Sequence, residues 1–272
     1  MELRAEIKKS ADVLRKLGIP QVGQALILGT GLGKLIDEIE VERIIDYSSI
    51  PGFAIPTVET HDGRFVYGKL AGKDILAMDG RLHYYEGYSM KDITYPIYVL
   101  KEIGVDHLFV SNAAGNLNPS WSKGDLMLFD DHINLLPDNP LRGPNDRDLG
   151  PRWPDMFRPY SQKLNELLKV TSKEVGIELR SGIYASVQGP NLETRAEYKM
   201  LRSMGADAVG MSTVPEVIVA NYLGMEVCAI SVLTDDCDPK RLAPVNIRDI
   251  LEIAGKAELK LNDLIRQSIN KI

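Results

Sequence analysis

Residues 108–115 read Leu108-Phe109-Val110-Ser111-Asn112-Ala113-Ala114-Gly115. An apolar run passes into small residues, which predicts a strand ending in a loop on which nothing bulky stands. Backbone N–H groups of such a loop can approach a ligand closely, and Asn112 adds a side-chain amide at the strand end. The arrangement recurs along the chain. Ala25-Leu26-Ile27-Leu28 leads into Gly29-Thr30-Gly31-Leu32-Gly33, and Val209-Gly210-Met211-Ser212-Thr213 again sets small and hydroxyl residues at a strand end. Strand ends of this kind predict one crevice at the edge of a sheet, where open α/β folds bind their ligands.

The chain has 272 residues, a length compatible with one or two domains at about 150 residues each. Hydrophobic residues make up 44%, enough for a full core, and no linker-like stretch divides the sequence. Residues 1–272 therefore read as a single α/β domain. The segment from Pro137 to Arg158 is rich in Pro and Asp, but its Trp153 and Phe157 predict a loop packed on a surface. Net charge is −6 with scattered Lys and Arg, so there is no footprint for nucleic acid. The N-terminal stretch carries Glu2, Arg4, Glu6, Lys8 and Lys9 at helical spacing, unlike a signal peptide. No run reaches the ~18 apolar residues that span a bilayer. Cys228 and Cys237 form neither a disulfide framework nor a zinc site, no metal is expected, and the protein reads as cytoplasmic.

Helical periodicity runs over residues 2–17 and stops at Gly18-Ile19-Pro20. Strands are expected at residues 25–28, 65–70, 74–78, 107–110, 126–129, 183–187 and 227–233. Helices are expected at 91–103, 161–175, 193–204, 215–223 and 246–268. The alternation argues for an α/β fold with a central sheet flanked by helices. Two consecutive strands around Ala71-Gly72-Lys73 look like a hairpin, which makes the sheet mixed.

Each polar motif has a functional and a purely structural reading. The loop GTGLG lacks the third glycine of a dinucleotide fingerprint, since Lys34 stands there. It is either a short anion loop, with N–H groups and the Thr30 hydroxyl offered to phosphate, or a tight turn. In Gly80-Arg81-Leu82-His83-Tyr84-Tyr85-Glu86-Gly87, Arg81 offers a planar fork to phosphate oxygens and His83 a further donor. His61 also falls in a loop. Thr194 and Glu197 fit a capping box, while the neighbouring Glu193 is either a helix-terminus charge or a carboxylate aimed into the crevice. Ser212 or Thr213 can cap the helix entered by Pro215, and Thr234-Asp235-Asp236 closes the strand from Val227.

Together these segments closely resemble the trimeric purine nucleoside phosphorylases and the related 5′-methylthioadenosine phosphorylases. The resemblance runs almost end to end. It includes GTGLG, GRLHYYEGY, SNAAGNLNP, GDLMLFDDHINL, NPLRGPND, GPNLETRAE and GADAVGMSTVPEVIVA. It implies reversible phosphorolysis of a purine nucleoside to the free base and α-ribose-1-phosphate, with inorganic phosphate as co-substrate and no metal or cofactor. It also implies a homotrimer with each site near a subunit interface. By matching positions, Thr30, His61, Arg81, His83, Ala113 and Ser212 would bind phosphate. Tyr85, Asn112 and Met211 would line the nucleoside, Leu192 and Glu193 the purine, and Thr234 and Asp235 the far side of the base. Trp153 matches the aromatic residue that a neighbouring subunit inserts over the sugar. Asp235, Glu193 and His83 would carry the catalytic roles.

The chain departs from the family's 6-oxopurine members, which carry Asn where Asp235 stands. An Asn amide can donate to N7 and accept from the base, whereas an ionised Asp only accepts, which suits a 6-amino group. Those members also place a histidine near the start of the last helix, where this chain has Asn246-Ile247-Arg248. A 5′-methylthioadenosine phosphorylase, or a relative with broad 6-oxo and 6-amino specificity, is thus the alternative within the family. A hydrolytic relative would need a general base for water rather than a phosphate cradle.

Overall fold

A computed structural model of the protein describes residues 2–29, 33–240, 242, 244 and 246–272. Strand β1 (Gln24–Leu28) is buried at every position, as a strand covered on both faces must be. It lies between β4 (Lys73–Asp79) and β5 (His107–Asn116), parallel to both, with Ile27 opposite Met78 and Val110. Beyond β4 come β3 (Arg64–Leu70) and β2 (Glu40–Asp46), both antiparallel to their neighbours. On the other side of β5 the order continues through β8 (Ala208–Gly210), β7 (Leu179–Ser186), β6 (Leu126–Asn134) and β9 (Glu226–Asp236). Strand β9 pairs with both β6 and β5, so this half of the nine-stranded mixed sheet closes into a ring. The crevice expected at an open sheet edge is therefore a ring mouth.

Helices cover both faces. Helices α1 (Glu2–Lys16), α2 (Met90–Glu102) and α5 (Val214–Tyr222) bury Ile7, Leu14, Ile97 and Val217 in one apolar layer. Helices α3 (Gln162–Glu174) and α6 (Ile247–Ile269) bury Leu164, Leu168, Leu261 and Leu264 in another. The short α4 (Arg195–Ser203) begins two residues later than periodicity suggests, because Thr194 caps it. Thr194 Oγ1 accepts from Glu197 N at 3.3 Å, and the Glu197 carboxylate accepts from Thr194 N at 2.7 Å.

The β3–β4 hairpin turns on Ala71 and Gly72, with φ of 52° and 78°. Positive φ at both central residues matches the turn to the strand twist.

Several expectations change. Residues 112–115 are not a loop: β5 continues through Asn116, paired with β9, with an irregularity between Ala114 and Gly115. Small residues there serve close strand approach, since a Cβ on Gly115 would stand 2.5 Å from Cys237 Sγ. Strand β2 escapes the sequence reading because it is an exposed, charged edge, EVERIID, with one buried position. The 137–158 loop does pack on the body, but through Leu141, Leu149 and Met156. Trp153 and Phe157 instead stand 86% and 79% exposed.

Candidate active site

The C-terminal ends of β5 and β9 reach one rim of the ring, beside β8 and the segments that follow β7 and β8. A cavity of about 170 Å³ opens there, and Ile250 of α6 also borders it. Arg81, His83, Tyr85, Asn112, Ala113, Leu192, Glu193, Met211, Ser212, Thr234 and Asp235 all line it. A larger groove of about 880 Å³ lies between α1 and the 140–149 loop. It contains none of these residues, and the strand-end groups that can do chemistry converge on the smaller cavity.

One group of lining residues gathers around a buried cation, Arg81. Arg81 follows β4 and is 2% exposed, and α5 brings Glu216, 3% exposed, to 3.5 Å from its Nη1. Nη1 also donates to Thr213 Oγ1 at 3.1 Å, and Nη2 donates to the Ile27 carbonyl at 3.2 Å and to that of Ser111. The fork expected to face a ligand is thus largely spent inside the protein. Among the described residues, only Nε is left without a protein partner. Burial lowers the Arg81 pKa and Glu216 opposes that shift.

Three rings line up beside it: His61 and His83 stack at 5.2 Å between centroids, and His83 and Tyr85 at 4.7 Å. Glu86 fixes the middle ring. Its Oε1 lies 2.9 Å from His83 Nδ1 and accepts from His83 N at 2.8 Å, while Oε2 accepts from Thr57 N and Oγ1 at 2.6 Å each. Burial pushes the Glu86 carboxyl up, but these hydrogen bonds outweigh it and bring its pKa down to about 2. The carboxylate therefore selects Nδ1 of His83 as the protonated nitrogen. His61 lies behind His83, its Nδ1 2.8 Å from the Arg81 carbonyl. Burial and then the neighbouring His83 lower its pKa to about 4.

His61 is therefore neutral at neutral pH in the fold, while in the unfolded chain it titrates near 6.5. Below pH 6.5 the unfolded state takes up a proton that the folded state refuses, so stability falls until the pH reaches about 4. Between pH 7 and pH 5 the loss should be about 2 kcal/mol. Thermal melts of His61→Gln should lack that share of the slope. An unchanged slope would show that His61 does not resist protonation. Glu86 acts in a separate window, its stabilisation being lost from about pH 4.5 to about 2.

The cavity lining also includes two carboxyl groups, Glu193 and Asp235. Asp235 Oδ1 accepts from Thr234 Oγ1 at 3.0 Å, and Oδ2 accepts from Cys237 Sγ at 3.2 Å. Burial raises the Cys237 thiol, with the Asp235 charge adding to the effect, so the thiol keeps the proton it donates. Burial likewise raises the Glu193 carboxyl, opposed by hydrogen bonds that include one from Tyr198 and reinforced by the charge of Asp235.

Sequence reasoning placed most of the lining residues but missed Glu216, Thr213, Tyr198 and Cys237. Glu216 lies within the quoted run GMSTVPEV, where a carboxylate inside an apolar helix is the available signal. Thr213, expected at most as a cap, makes no side-chain capping bond and has φ +72°. The Asn112 amide lines the cavity but is hydrogen-bonded to protein, its Nδ2 donating to Thr213 Oγ1 at 2.8 Å. Thr30 lies outside the described residues. Trp153 is not brought to this cavity; it borders a separate depression with His132 and Arg142.

Residues 25–270 match the family model of the phosphorylase superfamily. The chain is 48% identical to purine nucleoside phosphorylase 1 of Geobacillus stearothermophilus over 257 residues, covering 94% of this chain and 93% of that one. Its fold superposes with TM-score 0.94 on isoform 2 of purine nucleoside phosphorylase from Schistosoma mansoni in complex with cytosine and ribose-1-phosphate. That pair is 37% identical, over 98% of this chain and 96% of the other. A Schistosoma mansoni purine nucleoside phosphorylase in complex with adenosine gives TM-score 0.93 at 36% identity, covering 98% of this chain and 97% of that one. With identity and fold agreeing over nearly its whole length, the chain belongs to the phosphorylase superfamily and, within it, to the purine nucleoside phosphorylase family.

Proposed function

We propose that this protein catalyses reversible phosphorolysis of purine ribonucleosides and 2-deoxyribonucleosides, giving the free base and the pentose 1-phosphate. One observation carries the reading: an anion end built on Arg81, His83 and Ser212 and a carboxyl end built on Glu193 and Asp235 face the same cavity. Phosphate bound at the first end is the nucleophile. It attacks the anomeric carbon as the glycosidic bond breaks, and its negative charge stabilises the cationic sugar. The buried Arg81 charge, Ser212 and the N–H at Ala113 hold it in line, with Thr30 and His61 completing the cradle, so positioning and electrostatics supply most of the rate. Tyr85 and Met211 line the sugar. Electron density released onto the purine calls for a donor: Glu193, whose carboxyl pKa is raised by burial, supplies the proton, while Asp235 accepts from the base and Leu192 lies against the ring. Phosphate is a co-substrate and no cofactor enters the reaction.

Asp235 supports a second reading, in which 6-aminopurine nucleosides, including 5′-methylthioadenosine, are substrates. Donors from Thr234 and Cys237 on both carboxyl oxygens keep Asp235 an acceptor, matched to an exocyclic amine. Turnover of inosine, guanosine, adenosine and 5′-methylthioadenosine with phosphate tests both readings. Failure on all four would refute the activity, and turnover of the 6-oxo pair alone would refute the second reading.

Homotrimer assembly, with Trp153 of a neighbouring copy closing the sugar side, accounts for a large aromatic side chain left 86% exposed. Sedimentation at assay concentration should then give three copies, and Trp153→Ala should raise the nucleoside KM. A fully active monomer would contradict this.

A further inference from the structure

Thr213 is fully buried with φ +72°, a conformation that β-branched residues rarely adopt. Backbone strain of this kind persists where the surroundings enforce it, and it clusters at functional sites. Here it carries the hydroxyl to a point where three side chains meet. Arg81 Nη1 donates to Oγ1 at 3.1 Å and Asn112 Nδ2 donates at 2.8 Å. A hydroxyl oxygen has two acceptor sites and one proton. Both acceptor sites are taken, so the Thr213 proton goes to the remaining neighbour, Ser212 Oγ, at 3.2 Å. Ser212 Oγ has one further hydroxyl beside it, that of Tyr184, which accepts from Ser212 N at 3.3 Å and has no other acceptor for its own proton among the described residues. Ser212 Oγ therefore accepts from Tyr184 as well as from Thr213, and its own proton is left for the cavity it lines.

The orientation of the Asn112 amide decides this direction, and Ser231 decides the amide. Ser231 Oγ, fully buried, donates to Asn112 Oδ1 at 2.6 Å. With the amide turned over, Oδ1 would draw the Thr213 proton, and Ser212 would then donate to Thr213 and show the cavity only lone pairs. The Ser231 proton would face an NH2 group and have no acceptor among the described residues. A buried donor left unmade is costly, so the first orientation prevails.

We propose that Thr213 is a positioning residue. Through it, a one-way chain of hydrogen bonds from Ser231 and Asn112 compels the Ser212 hydroxyl to donate into the anion end of the cavity. A donor aimed before phosphate arrives needs no reorganisation when it binds. The inference rests on the reading of Ser212 as a phosphate contact.

Phosphate KM at saturating inosine, inosine KM at saturating phosphate and thermal midpoints of four variants test it. Ser212→Ala should raise the phosphate KM about tenfold, the loss of one hydrogen bond to a charged ligand. Thr213→Val should match or exceed that rise, and Thr213→Ser, which restores the hydroxyl, should return close to wild type. Ser231→Ala, remote from any ligand, should raise the phosphate KM several-fold and leave the inosine KM unchanged. If Thr213→Val does not fold, Ser231→Ala decides alone. A wild-type phosphate KM in Ser231→Ala beside a raised one in Ser212→Ala would overturn the chain. So would equal rises in both KM values, which mark general loosening. A wild-type phosphate KM in Ser212→Ala would instead remove the phosphate assignment itself.

Discussion

Replacing Arg81 with Ala is expected to abolish measurable turnover at subsaturating phosphate and to destabilise the fold. Both effects come from one buried guanidinium. Its removal leaves the Glu216 carboxylate, 3% exposed, without its cation and strips donors from Thr213 and from the Ile27 and Ser111 carbonyls. Breaking a buried ion pair by deleting one partner costs about 3–5 kcal/mol, which corresponds to a fall in Tm of roughly 10 °C for a chain of this size. Arg81→Lys should recover little, since a point charge cannot serve these partners together. Arg81→Met combined with Glu216→Gln separates the two effects. Removing both charges should restore part of the Tm while the phosphate KM stays high. Wild-type kinetics in Arg81→Ala would show that the anion end lies elsewhere, and an unchanged Tm would show that Glu216 does not depend on it.

Asp235→Asn is expected to shift kcat/KM towards inosine and guanosine over adenosine by one to two decades, about 1–3 kcal/mol for one buried hydrogen bond gained or lost. In the wild type, Thr234 and Cys237 both donate to the carboxyl group, which leaves it only acceptor capacity to offer. An Asn carbonyl can keep one of these donors while the amide N–H2 turns to the purine. The displaced donors have other partners: Thr234 Oγ1 also reaches the Ala114 carbonyl at 3.3 Å, and the Cys237 thiol interacts with Tyr198. The substitution should therefore cost little stability. An unchanged ratio of inosine to adenosine turnover would mean that residue 235 does not read the base.

How far the sequence discloses these features depends on how local their causes are. Apolar periodicity and capping residues place helices α1 to α6 within about two residues of their observed ends, because both signals lie within a turn of the boundary. The hairpin at Ala71-Gly72 is legible for the same reason. Ring closure is not, since it depends on β9 finding β5 and β6, each about a hundred residues earlier in the chain. The edge strand β2 is hidden by the very charges that protect it. In the site, residue types that do chemistry stand out at strand ends, so most lining residues are visible. Their couplings are not: Arg81 and Glu216 lie 135 residues apart, and only the folded chain shows that the guanidinium fork points inward. The strain at Thr213 is a backbone property with no residue-type signature, because threonine is a poor choice for positive φ.

The most direct measurement follows inosine in the presence and absence of phosphate, with free base read by absorbance and the sugar product by phosphorus NMR. With phosphate, hypoxanthine and ribose-1-phosphate should appear in equal amounts, and without it no base should be released. Release of hypoxanthine and free ribose at the same rate without phosphate would contradict phosphorolysis and make the protein a hydrolase.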